Sequence, residues 1–282
     1  MTQNPTDSST DHPFDSAMRL THGPLANSFL GATSPAYWNM VGPFGGYTAA
    51  LALQAVMQHP ALLGEPVAIT VNFASATSEG KFTITATPAR TNRSTQHWVI
   101  ELSQTNAAGQ LEVATTATVM TAVRREVWQA NDAPKPSTPK PLDINRTLRE
   151  GSPAWIARYD MRFIEGAIPE QFNGAESNAQ TRLWVRDEPP RPLDFTSLAA
   201  LADVFYPRIW LRRAKRVAAG TVSMTTYFHA SAAQLLQAGS GYLLAQAQSQ
   251  DFRHGFFDQS AQLWSEAGLL LATSTQLVYY KE

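Results

Sequence analysis

The sequence predicts an α+β protein of two related halves, each a buried helix followed by an antiparallel meander. Three observations predict it. An apolar, helix-length segment opening at Gly45-Gly46-Tyr47 precedes a series of alternating segments, and the same order returns from Asp194. A polar, proline-rich stretch over residues 124–153 separates the two copies. Polar residues able to converge on a cleft between the halves are found in the second copy alone.

Residues 1–26 open with MTQNPTDSSTDH and read as a polar tail. Residues 27–38 mix aromatics, small residues and turn formers and suit a short strand. Residues 39–46 are a turn, in which glycine supplies backbone freedom and Pro43 stiffness. Residues 47–58 hold no Gly or Pro and are apolar on most sides, through Ala49, Leu51, Leu53 and Val56. A helix apolar nearly all round is a buried helix. Residues 67–73, 82–87 and 97–104 alternate with period two, and 111–123 is rich in Thr, Val and Ala. Gly80 and the cluster at 106–109 mark hairpin turns. Residues 27–123 thus form a first domain, in which a sheet wraps around one helix.

Five prolines, Pro134, Pro136, Pro139, Pro141 and Pro153, make 124–153 an extended connector. The second domain, 154–282, begins with a strand at 181–186 and a turn at 187–192. A helix is expected from Asp194, a good N-cap, to Tyr206 before Pro207. Strands return at 221–230, 242–250, 252–257 and 269–280, with a hairpin turn at 264–268 matching the one at 104–109. Phe73 and Phe228 close comparable strands. The repeat keeps its order while its sequence has diverged.

The bulk numbers narrow the function. A chain of 282 residues is long enough to bury a sizeable core. Charged residues make up 16 % of it and the formal net charge is −1, which argues against a role on nucleic acid or on an anionic membrane surface. Cysteine is absent, so disulfides, thiolate metal sites and a cysteine nucleophile are excluded. The six histidines show no metal spacing, and neither a metal nor a cofactor is expected. No serine-esterase, dinucleotide-binding or phosphate-loop motif is present. No stretch is apolar over the length of a membrane span, and the polar start lacks a signal peptide's apolar core. A cytoplasmic protein is the expectation.

Several segments carry a resemblance. They are Gly42-Pro43-Phe44-Gly45-Gly46-Tyr47, the strand ending at Phe73, Leu201-Ala202-Asp203, Thr221 leading to Tyr227-Phe228-His229, and Ser274-Thr275-Gln276. In this order the chain resembles the double-hotdog acyl-CoA thioesterases of the thioesterase II type, over most of its length from Asn27. The resemblance implies two fused hotdog folds, each a long helix held in a curved antiparallel sheet, and association into a homo-oligomer. It implies acyl-CoA as the substrate and a hydrolytic triad. That triad is an aspartate near the end of the second helix, a Ser or Thr on the next strand and a glutamine on the last strand. Carried over, these are Asp203, Thr221 and Gln276. The first-half position corresponding to Gln276 reads as Thr118.

Those residue types suit thioester chemistry. A thiolate leaves readily, because thiol pKa values lie near ~8.5. The reaction then needs an oriented, partly deprotonated water and a place for the oxyanion. The carboxylate of Asp203 can take the water's proton while the Thr221 hydroxyl and Gln276 amide hold that water. The turn at Phe44, Gly45 and Gly46 is the candidate substrate-binding segment: backbone amides at a helix start polarise a carbonyl, and glycine lets a ligand approach. Helix packing accounts for the same glycines. Arg208, Arg212, Arg213, Lys215 and Arg216 put five charges in nine residues. They read either as a solvated loop or, with Arg212 and Arg213 foremost, as a contact for coenzyme A phosphates. Two other functions stay open: an acyl-CoA or acyl-carrier-protein binder without turnover, and a hotdog hydratase or dehydratase, which needs an Asp–His constellation.

Overall fold

The computed structural model describes residues 11–106 and 108–282. Residues 1–10 of the expected tail, and Ala107 in the turn expected at 106–109, lie outside the described residues. The first half contains α1 (Pro13–Ala17), β1 (Thr21–His22), β2 (Ser28–Ala32), α2 (Gly45–Met57), β3 (Glu65–Phe73), β4 (Lys81–Thr91), β5 (Thr95–Thr105) and β6 (Leu111–Ala122). The second contains β7 (Tyr159–Glu165), β8 (Thr181–Asp187), α3 (Phe195–Leu201), α4 (Arg208–Arg213), β9 (Ala218–Phe228) and α5 (Ala232–Ala238). It ends with β10 (Leu243–Gln248), β11 (Phe252–Arg253), β12 (Phe256–Ser265) and β13 (Leu270–Lys281).

Twelve strands join one antiparallel sheet in the order β1-β2-β4-β5-β6-β3-β9-β13-β12-β10-β8-β7, with β11 paired to β12 alone. The order is the same read from either end: β3 corresponds to β9, β6 to β13, β5 to β12, β4 to β10 and β2 to β8. These are two tandem hotdogs sharing one sheet. The seam is the β3–β9 pairing, where Thr70 and Thr225 face each other with their hydroxyl oxygens 2.9 Å apart. Arg124 fastens the seam, donating to the carbonyls of Pro66 at 2.7 Å and Phe228 at 2.9 Å.

The two helices lie inside the curve of the sheet and pack on one another. Every residue of α2 from Gly46 to Leu53 is buried, so its lack of a polar face is a packing requirement. In α3 the Asp194 carboxylate caps the helix by accepting from the Ser197 amide at 2.8 Å. One large apolar core runs through both halves, from Phe29 and Trp98 to Phe228 and Leu263, and a smaller cluster of Trp184, Tyr242, Leu244 and Trp264 lies apart from it.

The structure differs from the sequence reading in several places. Gly80 marks no hairpin, because β3 pairs with β6 and β9 and β4 with β2 and β5, and residues 252–257 are divided between β11 and β12, which pair with each other. Residues 13–22, expected as tail, form α1 and β1, and Phe14 is fully buried. The helix expected to reach Tyr206 stops at Leu201, where the Asp203 amide already bonds back to Ala200 in a tighter turn. Pro207 then starts a second short helix, because Ile209, Trp210 and Leu211 need a shared buried face. The strand β7 and the helix α5, closed by a Ser231–Gln234 capping box, were not expected at all. The proline-rich connector holds one short 3-10 turn, Pro141–Asp143, and no longer helix or strand. It lies along the second half, where Ala133 and Pro139 carbonyls accept from the indoles of Trp264 and Trp184 at 2.8 and 2.9 Å.

Candidate active site

A cavity of about 550 Å³ opens between the halves. Its wall takes residues from the turn before α2, the end of β3, the connector, the α3–α4 segment and strands β9, β12 and β13. Most of the lining is apolar and aromatic, including Phe73, Trp155, Phe205, Trp210 and Phe257. Asp203, Thr221 and Gln276 are together on that wall.

Their side chains form a hydrogen-bonded relay. The Thr221 hydroxyl donates to Gln276 Oε1 at 3.1 Å, and Gln276 Nε2 donates to Asp203 Oδ1 at 2.7 Å. Three unrelated elements supply them: the turn after α3, the start of β9 and the middle of β13. Gln276 is buried, and its cross-strand neighbour Met224 is buried too. The glutamine's two polar ends are thus spent on Thr221 and Asp203, which fixes its orientation.

Asp203 sits in a largely desolvated pocket that raises its carboxyl pKa to about 7, against the opposing pull of the Gln276 amide and the Gly46 backbone amide. The Gly46 amide pulls on the carboxylate from the N-terminus of α2, where aligned peptide dipoles favour negative charge. Gly45 lines the cavity beside it and Phe44 stacks flat on Trp155, with ring centroids 4.2 Å apart. Gly46 faces the other helix instead. A β-carbon there would stand 2.5 Å from the Ala200 carbonyl oxygen, so its glycine serves helix packing.

The symmetry of the sheet shows what the first half holds at the same positions. Strands β3 and β9 each carry a one-residue bulge, at Val67 and Val222, and each ends on a phenylalanine. Counted from that end, Thr221 corresponds to Pro66. Gln276 faces Met224 as Val119 faces Ile69, so the counterpart of Gln276 is Val119. The expectation of Thr118 was one residue out of register, which turns a side chain to the opposite face of the sheet. Counted from the helix caps Phe44 and Asp194, Asp203 corresponds to Leu53, which is fully buried. Leu53, Pro66 and Val119 can accept no proton and hold no water. The fold is duplicated; the polar relay is not.

The basic cluster separates into distinct environments. Arg208 is fully buried and donates to Tyr206 O at 3.0 Å from Nε, to Ala179 O and to Thr181 Oγ1, with burial pushing its pKa down to about 9. Arg212 pairs with Glu176 at 2.8 Å, and both Arg213 and Lys215 pair with Glu282. Neither Arg212 nor Arg213 is on the cavity wall, whereas Arg216 is. Arg149 of the connector lines the cavity as well, and no local pattern in the chain singles it out. No histidine lines the cavity among the described residues, and none of them form a group of three or more potential metal ligands. No helix among them is long and apolar enough to cross a membrane.

Comparison with known proteins adds independent findings. Residues 34–122 match the acyl-CoA thioesterase N-terminal domain, and residues 130–280 match the acyl-CoA thioesterase C-terminal domain. A conserved protein of unknown function with a hot dog fold from Alicyclobacillus acidocaldarius is 44 % identical, with 96 % of this chain and 98 % of that one covered at a TM-score of 0.89. The tesB protein of Mycobacterium avium subs paratuberculosis is 18 % identical over 95 % of this chain and 98 % of that one, TM-score 0.75. An acyl-CoA thioesterase II, TesB2, from Mycobacterium marinum is 15 % identical over the same shares, TM-score 0.71. At those two identities the likeness is one of fold. None of the curated proteins compared matches the chain. With both domains matched in order on a duplicated hotdog sheet, the chain belongs to the acyl-CoA thioesterase family.

Proposed function

We propose that the protein hydrolyses an acyl-CoA thioester to the free acid and coenzyme A. The observation that carries the reading is the Thr221–Gln276–Asp203 relay, ending on a carboxylate poised near neutrality at the wall of an apolar cavity. A general base works best when its pKa lies close to the working pH. In this scheme Asp203 takes a proton from a water as the water's oxygen attacks the thioester carbon. Thr221 has already donated its hydroxyl proton to Gln276, so its lone pairs are free to accept the water's second hydrogen. The Gln276 amide favours the ionised form of Asp203, against the effect of burial, and aims the carboxylate. Charge developing on the thioester oxygen falls near the first amides of α2, beside Gly45. Collapse of the tetrahedral intermediate breaks the carbon–sulfur bond, and the proton held on Asp203 passes to the departing thiolate.

A hydratase or dehydratase reading is weaker, since no histidine joins Asp203 on the cavity wall among the described residues. The remaining alternative is an acyl-CoA binder without turnover. Free-thiol release across a ladder of acyl-CoA chain lengths separates the two. Release by the native chain that falls about 10²–10⁴-fold in Asp203→Asn supports hydrolysis. Tight acyl-CoA binding without thiol release, or an Asn variant with native turnover, overturns it.

A further inference from the structure

We infer that Arg216 and Arg149 form the anion-recognising rim of the cavity and take the phosphates of coenzyme A. The inference rests on the acyl-CoA reading above and deepens it. Of the five cations between positions 208 and 216, one is interior and three are neutralised. Arg208 is buried against backbone carbonyls, Arg212 is held by Glu176, and Arg213 and Lys215 share Glu282. Arg216 alone of the five lines the cavity, and among the described residues it has no carboxylate within ion-pair distance. Its guanidinium lies 5.5 Å from the centre of the Trp210 ring, and Nη2 lies 3.9 Å from Met40 Sδ. A guanidinium backed by an aromatic face on one side and a thioether on another keeps its planar fork open toward the cavity.

Arg149 reaches the same cavity from the connector. Its Nη2 donates to the Ile168 carbonyl at 2.8 Å and its Nη1 to that of Pro169 at 3.2 Å. Those bonds hold the head in one orientation without neutralising it. The acidic groups on the cavity wall are Asp203, engaged in the relay, and Glu150, the neighbour of Arg149. Two oriented guanidiniums and an apolar interior sort a substrate that is anionic at one end and oily at the other. The phosphates stay at the rim and the acyl group goes in. Arginine suits this task, because its parallel N–H groups match two phosphate oxygens.

The test compares an acyl-CoA with the same acyl group on N-acetylcysteamine, which carries no phosphate. Arg216→Gln and Arg149→Gln should each raise KM for the acyl-CoA on the order of tenfold more than for the truncated thioester, the loss expected of a charge-assisted bond. The difference should shrink as salt is added, and Lys215→Gln serves as the control of equal charge. Equal effects on both thioesters, or a Lys215 variant as impaired as the Arg216 one, overturn the rim assignment. If the native chain releases thiol from neither thioester, the hydrolase reading fails and the rim is tested by calorimetric binding of coenzyme A alone. Weaker binding in the two arginine variants, and not in Lys215→Gln, then supports it; unchanged binding overturns it.

Discussion

Gly45 stands so close to Asp203 that a β-carbon on it would lie 2.7 Å from the carboxylate Oδ2. The next residue has an equally tight neighbour of a different kind, since a β-carbon on Gly46 would meet the Ala200 backbone oxygen at 2.5 Å. A side-chain oxygen can swing away and a helix backbone cannot. The two glycines of one turn therefore answer to different constraints, and single alanine substitutions separate them. Gly45→Ala should keep the thermal midpoint close to native while displacing Asp203 and cutting kcat by on the order of 10²-fold. Gly46→Ala should lower the midpoint by driving the helices apart. Parallel melting and thiol-release curves check both, and a Gly45 variant with native kcat would remove that contact from the mechanism.

Replacing Thr221 by Val keeps the strand and its shape but deletes the hydroxyl that donates to Gln276. With Oε1 released, the amide is free to turn, and Asp203 loses its directed donor. A drop in kcat on the order of 10²-fold is expected, with Thr221→Ser recovering most of it. Equal activity in the Val and Ser variants would make the threonine a scaffold residue.

The raised pKa of Asp203 sets a pH dependence for activity. The base form is needed for attack, so kcat/KM should climb with pH and level off above about 7. The pH–rate profile of the native chain checks this. A flat profile from pH 5 to 8 would assign proton transfer elsewhere.

The same burial acts on stability with a definite sign. Asp203 and Asp187 have folded pKa values near 7 and 6, both above the 3.8 of a free aspartate. Between those values the folded state binds more protons than the unfolded one, so stability is highest below about pH 4 as far as these groups decide it, and falls as pH rises toward 7. Asp203→Asn removes its share of the loss, on the order of a few kcal/mol at neutral pH. The variant should unfold at higher denaturant than the native chain at pH 7.5 and show a smaller advantage, or none, at pH 4. Identical pH dependence in variant and native chains would contradict the burial of that carboxylate.

Arg208 offers a stability prediction of its own. Its guanidinium has no carboxylate partner among the described residues and instead joins Tyr206, Ala179 and Thr181 behind the aromatic wall of the cavity. Arg208→Ala leaves two buried carbonyls and a hole, and should cost about 3 kcal/mol or more. Arg208→Met, which refills most of the volume, should cost less. Chemical denaturation of the two variants orders them; a methionine variant as damaged as the alanine one would shift the weight from packing to the hydrogen bonds.

What the sequence determined by itself is the duplicated order of elements. Alternation at 67–73 and 97–104, the all-round apolar helix beginning at Gly45 and the proline-rich connector are local patterns that each segment carries alone. Burial of α2 and the strand ends at Phe73 and Phe228 follow from them, because periodicity tells a segment which side to hide. Asp203, Thr221 and Gln276 were legible only through a resemblance, being far apart in the chain with no common motif. Tertiary structure decided the rest. The counterpart of Gln276 became Val119 rather than Thr118 through paired bulges, which only strand register reveals. Five like-looking cations were sorted into one buried, three paired and one on the cavity wall by carboxylates and carbonyls distant in sequence, and Arg149 reaches that wall from the connector. Charge and hydrogen bonding act across space, so a linear pattern cannot assign their partners. It fixes which face each side chain takes and leaves open what that face will meet.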